Sequence, residues 1–318
     1  MPEDYKQELQ QRLDSVFSAL SGTSFLAKIL DGEWYERLSK QISQASPVAP
    51  FHSDSALMFF ELDHPLRGAP WFERAQDLLK QGQPDKLDRE DKVALAFLGL
   101  DPLRHFLPLL DERLSAFASL QFKQLEVSRK IKELRANRFK ADFRNHVFEL
   151  SVLGFFALKG VLTDIEVPLS AVGGTVDGEI CIDGRQILVE VTFTSQELLP
   201  TGSGVCAVNI KPLVDQVVYK IKKKVADGRQ LAAARGVPSL LFLGRNRLGA
   251  DSVTSRWGIR ECFSDPSFSC LSGLVASDTW KLLQTEFHVG PNAAVPLSGQ
   301  EVEILQEWFG AGSALRIQ

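Results

Sequence analysis

The sequence predicts an α/β fold, with helices packed on a mixed β-sheet, in the C-terminal part of the chain. From about residue 141 onward, short apolar runs typical of strands alternate with helical patterns. Two of these runs are joined by Asp183-Gly184, a strong two-residue hairpin signal. The first 140 residues show helical periodicity and no convincing strand. We therefore predict an all-helical region over residues 1–140, for interaction or nucleic-acid binding, and an α/β domain over residues 141–318.

The N-terminal region is predicted to consist of several helices of different length. Residues 3–45 carry apolar positions at helical spacing, and a proline-rich stretch separates them from short predicted helices at 71–82 and 88–99. A long helical pattern runs from about Leu103 to Lys140 and ends in a basic segment. Nothing in this region predicts a catalytic site.

The C-terminal elements begin with R-N-H-V-F-E-L-S-V-L-G-F-F-A-L-K-G, a helix apolar almost all round and therefore buried, with Gly160 as its C-terminal cap. The strand V-L-T-D-I-E-V-P-L follows, then the hairpin, then a helix over about Pro212–Arg235. P-S-L-L-F-L-G and C-L-S-G-L-V-A predict further strands. The order α-β-β-β-α-β, with a later strand, favours a mixed sheet covered by helices.

Composition narrows the classes of protein to which the chain can belong. No apolar stretch reaches the roughly 18 residues that predict a membrane span. The net charge of −4 argues against a bulk nucleic-acid binder. Two segments are nevertheless basic: residues 121–144 hold eight Lys/Arg against three Asp/Glu, and residues 211–235 hold seven against two. They either track phosphates or form solvated helix faces.

The cysteines and histidines predict neither zinc nor disulfides, because four scattered cysteines form no CxxC and five histidines form no HxxxH pair. The N-terminal M-P-E-D-Y-K-Q-E-L is polar and acidic, which predicts no secretory signal. We expect a cytoplasmic protein with reduced cysteines and no membrane partner.

The predicted hairpin brings two carboxylates face to face if Asp183-Gly184 is the whole loop. Ile182 then pairs with Arg185, and counting back places Asp177 directly opposite Glu190. Like charges directly opposite destabilise a sheet, and two close carboxylates either share a proton or hold a cation. A loop one residue longer would break this opposition and leave an unrelated α/β protein.

Glu149 is unusual because it lies on the apolar helix, where a glutamate is rarely buried unless paired or metal-bound. It either pairs with Arg144, lies on a narrow wet stripe with Asn145 and His146, or acts beside Asp177 and Glu190.

A series of residues links these features to a known family. Glu149 on a helix and Asp177 on a strand are followed, thirteen residues after Asp177, by Glu190-Val191-Thr192, and then by a helix with Gln216 and Tyr219. Over about residues 141–300 the series resembles the restriction-endonuclease-like, PD-(D/E)xK nuclease superfamily. The tail segment H-V-G-P-N-A-A-V-P-L-S also resembles the Asn-Pro-rich segment that closes some members. The resemblance implies the α-β-β-β-α-β restriction-endonuclease-like core.

The same resemblance implies roles for the site residues. Asp177, Glu190 and the main-chain carbonyl of Val191 would bind one or two Mg²⁺ (or Mn²⁺) ions, with Glu149 assisting from its helix. The family's motif lysine is replaced by Thr192, which has a hydroxyl and no charge. Some members move this lysine to the following helix, where Lys220 is the first candidate and Lys223 or Lys224 come next.

The function predicted in this way is metal-dependent hydrolysis of phosphodiester bonds, with DNA favoured over RNA as the partner. If no lysine reaches the site, the alternative is a catalytically inactive member that binds nucleic acid or a protein partner. The long helix near residues 103–140 suggests a homodimer. Restriction, phage defence and repair all use this fold, and the fold does not choose among them.

Overall fold

A computed structural model describes residues 3–45, 102–140, 143–169, 174–193, 211–225, 231, 236–245, 250–278 and 285–310. Its helices are α1 (Glu3–Leu20), α2 (Leu26–Ile29), α3 (Gly32–Gln44), α4 (Pro102–Ala118), α5 (Gln124–Ala136), α6 (Phe143–Leu158), α7 (Lys211–Val225), α8 (Ala250–Ser264) and α9 (Gly299–Phe309). Its strands are β1 (Leu162–Leu169), β2 (Gly174–Ile182), β3 (Arg185–Phe193), β4 (Ser239–Arg245), β5 (Gly273–Asp278) and β6 (Glu286–Val289).

The strands form one mixed sheet in the order β1-β2-β3-β4-β5-β6. The β3–β4 and β4–β5 pairs are parallel, and the other three neighbouring pairs are antiparallel. The predicted α/β architecture with a mixed sheet is therefore confirmed. The helix at 250–264, the strand at 286–289 and the helix at 299–309 had no counterpart in the sequence analysis.

Helices cover both faces of this sheet. Successive side chains of the central strand β4 point to opposite faces and therefore contact both layers of helices. Leu241 and Leu243 pack with apolar residues of α7 and α8, among them Val217 and Ile259. On the opposite face, Phe242 contacts aromatic rings of α6 and α9, with centroids 5.5 Å from Phe156 and 5.4 Å from Phe309. The centre of the sheet, at β4, is thus held between two apolar layers.

The hairpin forms as predicted. Its two loop residues, Asp183 and Gly184, both have positive φ values, 52° and 76°, as a type I′ turn requires. The backbone register runs from Ile182–Arg185 through Ile180–Ile187 to Gly178–Val189. The loop is therefore two residues long, and the alternative with a longer loop is wrong.

The single long helix predicted from Leu103 to Lys140 is wrong, since the chain forms two helices, α4 and α5, separated by residues 119–123. Lys123 has a φ of 45°, which an α-helix does not allow. Its ammonium group donates to the main-chain carbonyls of Ile165, at 2.5 Å, and Glu166, at 3.2 Å. These bonds to β1 hold the chain in the conformation that interrupts the helix.

Several other predicted segments lie partly or wholly outside the residues that the structure describes. Helices are present over most of 3–45, as predicted, whereas the short helices at 71–82 and 88–99 lie outside the described residues. The helix predicted to reach Arg235 is described as far as Val225. Gly160 has a φ of 70° just after α6, as a C-terminal cap requires.

The chain divides into two compact units, one of residues 1–115 and 131–144 and one of residues 116–130 and 145–318. The first includes a helical core in which Trp34, Leu38 and Leu114 are fully buried. The second contains the sheet together with the first half of α5, which the boundary predicted at residue 140 had assigned elsewhere. None of the helices that the structure describes is long and apolar enough to cross a bilayer.

Candidate metal centre

Strands β2 and β3 separate at the position predicted for the carboxylate pair. Their backbone pairing ends at Gly178–Val189, one position before Asp177 and Glu190 would meet. The main-chain N–H of Val191 instead donates to Oδ2 of Asp177, at 2.7 Å. Asp177 and Glu190 are close enough to repel each other, but the direct cross-strand pair predicted for them is absent from the β2–β3 register, and a side chain closes the gap between the strands.

The carbonyl of Val191 points into the same gap. Leu188 uses its N–H to bond the carbonyl of Pro238, beside β4, so alternate residues of β3 direct their backbone groups to the β2 side. Val191 is one of these, as its bond to Asp177 shows. Because the N–H and C=O of one strand residue point to the same side, this carbonyl is positioned to serve as the third ligand that the resemblance implies.

Glu190 is completely buried on the face of β3 that packs under α7. Its Oε1 lies 2.5 Å from the ammonium nitrogen of Lys224. Among the described residues, no hydrogen-bond donor contacts its Oε2, although the main-chain amide of Asp177 is near enough to favour the charged form. Burial raises the pKa of Glu190, and the opposing attraction of Lys224 does not cancel that effect.

Asp177 is also shifted towards its protonated form. Burial, followed by repulsion from Glu149 and Glu190, raises the pKa of Asp177 well above its usual range. Lys224 and Lys130 oppose this shift without reversing it. A cation bound between Asp177 and Glu190 would offset the repulsion between the two carboxylates and favour their charged forms.

Glu149 belongs to the same electrostatic cluster through Lys130, a buried residue of α5. The ammonium group of Lys130 contacts the carboxylates of both Glu149 and Glu166. Glu166 lies on β1 beside Asp177, between the strand pairs Ile165–Gly178 and Val167–Val176. Burial acts to lower the pKa of Lys130, but the two carboxylates outweigh it and the pKa is raised. Lys130 is therefore charged at neutral pH.

The ion pair of Glu149 is not the one considered from the sequence, because its partner is Lys130 and not Arg144. The wet stripe is present, since Asn145 is exposed and both His146 and Glu149 are half-buried. Glu149 also raises the pKa of Asp177 by repulsion. The structure thus combines two of the expected environments, partial exposure and proximity to the strand carboxylates.

The lysine that reaches the site is Lys224, not Lys220. Thr192 is half-buried on β3, two residues beyond Glu190, and carries no charge. Lys220 lies one helical turn before Lys224 on α7, and no hydrogen bond or ion pair joins it to a site carboxylate among the described residues. Burial acts to lower the pKa of Lys224, whereas Glu190 raises it, and the net shift is upward.

Other residues of the resemblance on α7 face away from the site. Gln216 is exposed, and Tyr219 is 62% exposed. Neither makes a described contact with the carboxylates, so both keep only their place in the sequence pattern. Lys223, the remaining candidate for the motif lysine, is also exposed.

The first basic segment is divided between the two units, and several of its cations pair with acidic residues of the unit to which they belong. Lys123 contacts Asp164 at 2.9 Å, and Arg129 contacts Glu166 at 3.3 Å. In the helical unit, Arg135 lies 2.7 Å from Asp31. In the second segment, Lys222 and Lys223 are exposed. Both segments thus contain paired and exposed lysines, since Lys211 pairs with Asp215 in the second and Lys132 and Lys140 are exposed in the first.

Sequence reasoning missed Lys130 and Glu166. One signal was available for Glu166, because it is an acidic residue near the middle of the largely apolar strand β1. Asp164 lies two residues before it on the same strand. Lys130 was one of eight cations in a basic segment. Its partner Glu149 lies 19 residues away on another helix, and sequence spacing does not reveal such a contact.

The residues present fit a hard divalent cation. Among the described residues, no group of three or more His, Cys, Asp and Glu side chains is close enough to enclose a metal ion. Mg²⁺ does not require such a group, since it keeps several waters and is commonly held by one or two carboxylates. Buried Oε2 of Glu190, the carboxylate of Asp177 and the carbonyl of Val191 together form an oxygen-rich donor set of that kind.

Comparison of the chain with protein-family models, with curated proteins and with solved structures yields no match.

Proposed function

We propose that this chain is a Mg²⁺- or Mn²⁺-dependent nuclease of the restriction-endonuclease-like type, which hydrolyses phosphodiester bonds in DNA. The observation that carries the proposal is the state of Glu190. This glutamate is fully buried beside Asp177, with one oxygen held by Lys224 and the other without a hydrogen-bond partner among the described residues. Buried unpaired carboxylate oxygens are rare, and a cation relieves them.

Asp177, Glu190 and the Val191 carbonyl would hold the ion. When bound, it supplies a water of lowered pKa and stabilises charge on the phosphate under attack. The hydrogen bond from Val191 orients the carboxylate of Asp177, and the burial of Glu190 between β3 and α7 fixes its rotamer. Such immobilised ligands are what a site of precise geometry requires.

Lys224 takes the role that Thr192 cannot fill. Because its pKa is raised by Glu190, its side chain stays cationic at neutral pH and does not act as a base. Its side chain is 25% exposed and its ammonium group contacts Glu190, so it can stabilise the negative charge that develops on a phosphate beside the site. This assignment supports an active enzyme in spite of the missing motif lysine.

The order of elements supports the family assignment as a proposal. A helix with Glu149 precedes three antiparallel strands, the carboxylates lie on the second and third strands, and α7 delivers the lysine before a parallel strand. This is the sequence of parts that the resemblance implies, and the site lies where the two motif strands separate.

One observation favours a second candidate, an inactive protein of the same fold that binds nucleic acid or a protein partner. Lys224 is already engaged by Glu190. If this ion pair persists in the presence of metal, the buried charge of Glu190 is satisfied internally and no cation is needed. Thr192 then reflects lost activity.

The test is cleavage of plasmid and of short single-stranded oligonucleotides by the purified chain with Mg²⁺ or Mn²⁺. Asp177→Asn and Glu190→Gln should abolish cleavage. Asp183→Asn is the matched control, because Asp183 is an exposed carboxylate at the tip of the same hairpin and asparagine tolerates its positive φ. Cleavage that survives in both site variants would refute the nuclease, and metal-independent binding without cleavage would support the second candidate.

A further inference from the structure

We propose that Lys130 occupies the place of a second cation beside Glu149, so that the site takes one divalent ion, at Asp177 and Glu190. The inference rests on the proposed function and deepens it by stating the metal stoichiometry and naming the residue that sets it. Lys130 acts as a positioning residue, because its ammonium group contacts the carboxylates of Glu149 and Glu166.

The position of Lys130 is that of an internal counter-ion. Its side chain is 7% exposed, and its ammonium group contacts one carboxylate from α6 and one from β1. A lysine is almost never buried to this extent unless paired, and its raised pKa keeps it charged. Attraction to Asp177 also acts on it. The ammonium group therefore lies where a metal ion shared by Glu149 and a strand carboxylate would have to bind.

The charge balance of the cluster leads to the same number of ions. Four carboxylates, those of Glu149, Glu166, Asp177 and Glu190, face the two ammonium groups of Lys130 and Lys224. When all four carboxylates are ionised, as metal binding at Asp177 and Glu190 requires, the difference is two negative charges, which one divalent cation neutralises. Arg129 also contacts Glu166, but its side chain is 52% exposed and water screens it. A second divalent ion would leave the wild-type cluster with a net charge of +2 in a partly buried place, whereas the loss of Lys130 lowers that charge by one and frees the carboxylate of Glu149.

The backbone conformation of Glu166 indicates that the residues around it hold this part of β1 in a fixed shape. Glu166 has a φ of 46°, which a residue with a side chain rarely adopts within a strand. Such strain persists only where the surroundings enforce it. Lys123 holds the carbonyl of Glu166 while Lys130 holds its carboxylate, so two lysines of one segment keep β1 in this shape.

The test is the number of Mn²⁺ ions bound by the full-length chain at pH 7.5, measured by calorimetry and by the paramagnetic resonance of free Mn²⁺. We expect one ion in the wild type and in Lys130→Arg, which keeps the charge. Lys130→Met removes the charge at similar volume and should bind two ions. Adding Glu149→Gln to Lys130→Met should return the count to one, because the second ion needs Glu149.

The outcomes separate this inference from the function on which it rests. Two ions in the wild type, or one ion in Lys130→Met, would overturn the role of Lys130 and leave the metal-dependent nuclease standing. A wild-type chain that binds no Mn²⁺ would refute the metal site itself. Circular dichroism shows whether Lys130→Met is folded. If it is not, the number of ions bound by the wild type still tests the inference, because it distinguishes one ion from two.

Discussion

At the scale of single residues, Lys224 is the side chain on which the proposed chemistry most depends. It is the cation that contacts Glu190, whereas Lys220, one turn earlier, makes no described contact with the site. Lys224→Met should lower the rate of Mg²⁺-dependent cleavage by about 100-fold or more, since one lost electrostatic donor has that order of effect. Lys220→Met is the matched control and should keep its rate. Initial rates on supercoiled plasmid measure both.

Loss of Lys224 also leaves Glu190 buried without a counter-charge, at a cost of up to about 3 kcal/mol because the lysine is partly exposed. Lys224→Met combined with Glu190→Gln should regain much of that stability in urea unfolding without regaining activity. A double variant no more stable than Lys224→Met would contradict the ion pair.

The raised pKa values of Asp177 and Glu190 make a prediction about stability and pH in the absence of metal. The folded chain holds these protons at a higher pH than the unfolded chain, whose carboxyls titrate near 3.8 and 4.5. Their contribution to stability is therefore present below about pH 4 and is lost as pH rises through the folded-state pKa values. Each extra bound proton changes the free energy of unfolding by about 1.4 kcal/mol per pH unit.

Urea unfolding in EDTA between pH 5 and 8 checks this expectation, with Asp177→Asn as the reference. The wild type should gain stability relative to that variant as pH falls. Parallel curves would contradict the shifts. Mn²⁺ should reverse the trend, since it competes with the protons and stabilises the chain more at pH 8 than at pH 5.

At the scale of elements, local signals allowed most of the sheet to be predicted, and long-range contacts limited the rest. The Asp183-Gly184 turn sets the register of β2 and β3, and so the sequence was sufficient to bring Asp177 near Glu190. The choice between Lys220 and Lys224 depends on how α7 is rotated over the sheet, which helical periodicity alone leaves open. The break between α4 and α5 depends on bonds from Lys123 to a strand 42 residues away.

The close contact between α6 and β2 carries a prediction at this scale. A Cβ added at Gly178 would lie 2.7 Å from Cδ2 of Leu153 on α6, the helix that bears Glu149. Gly178→Ala should therefore push α6 from the strand and cost roughly 1–3 kcal/mol, as overpacking of a core does. Gly174→Ala on the same strand is the control, since a Cβ there meets no atom of the described residues within 4 Å.

Urea unfolding of the two alanine variants measures the difference, and Mn²⁺ affinity shows whether the displaced helix disturbs the site. We expect weaker Mn²⁺ binding in Gly178→Ala alone, because Gly178 adjoins Asp177. Equal stability of the two variants would mean that the Leu153 side chain moves aside without cost.

At the scale of the whole molecule, a chain of net charge −4 must bind a polyanion through a local concentration of positive charge. The acidic partners of Lys123, Arg129 and Lys130 remove much of the first basic segment from that task. On α7, Lys222 and Lys223 are exposed near the end that carries Lys224 to the site. We therefore expect phosphates to be bound by the second segment.

Replacing both Lys222 and Lys223 by alanine should weaken DNA binding at all sequences and reduce its dependence on salt. Each phosphate contact contributes about 0.9 to the slope of log affinity against log salt concentration, so the double variant should lose roughly 1–2 units of slope. The measurement is fluorescence anisotropy from 50 to 200 mM salt, in an Asp177→Asn background to prevent cleavage. Lys132→Ala combined with Lys140→Ala is the control, since both lysines are exposed cations of the first segment. A larger loss of slope in that control would assign phosphate binding to the first segment and contradict the role given to α7.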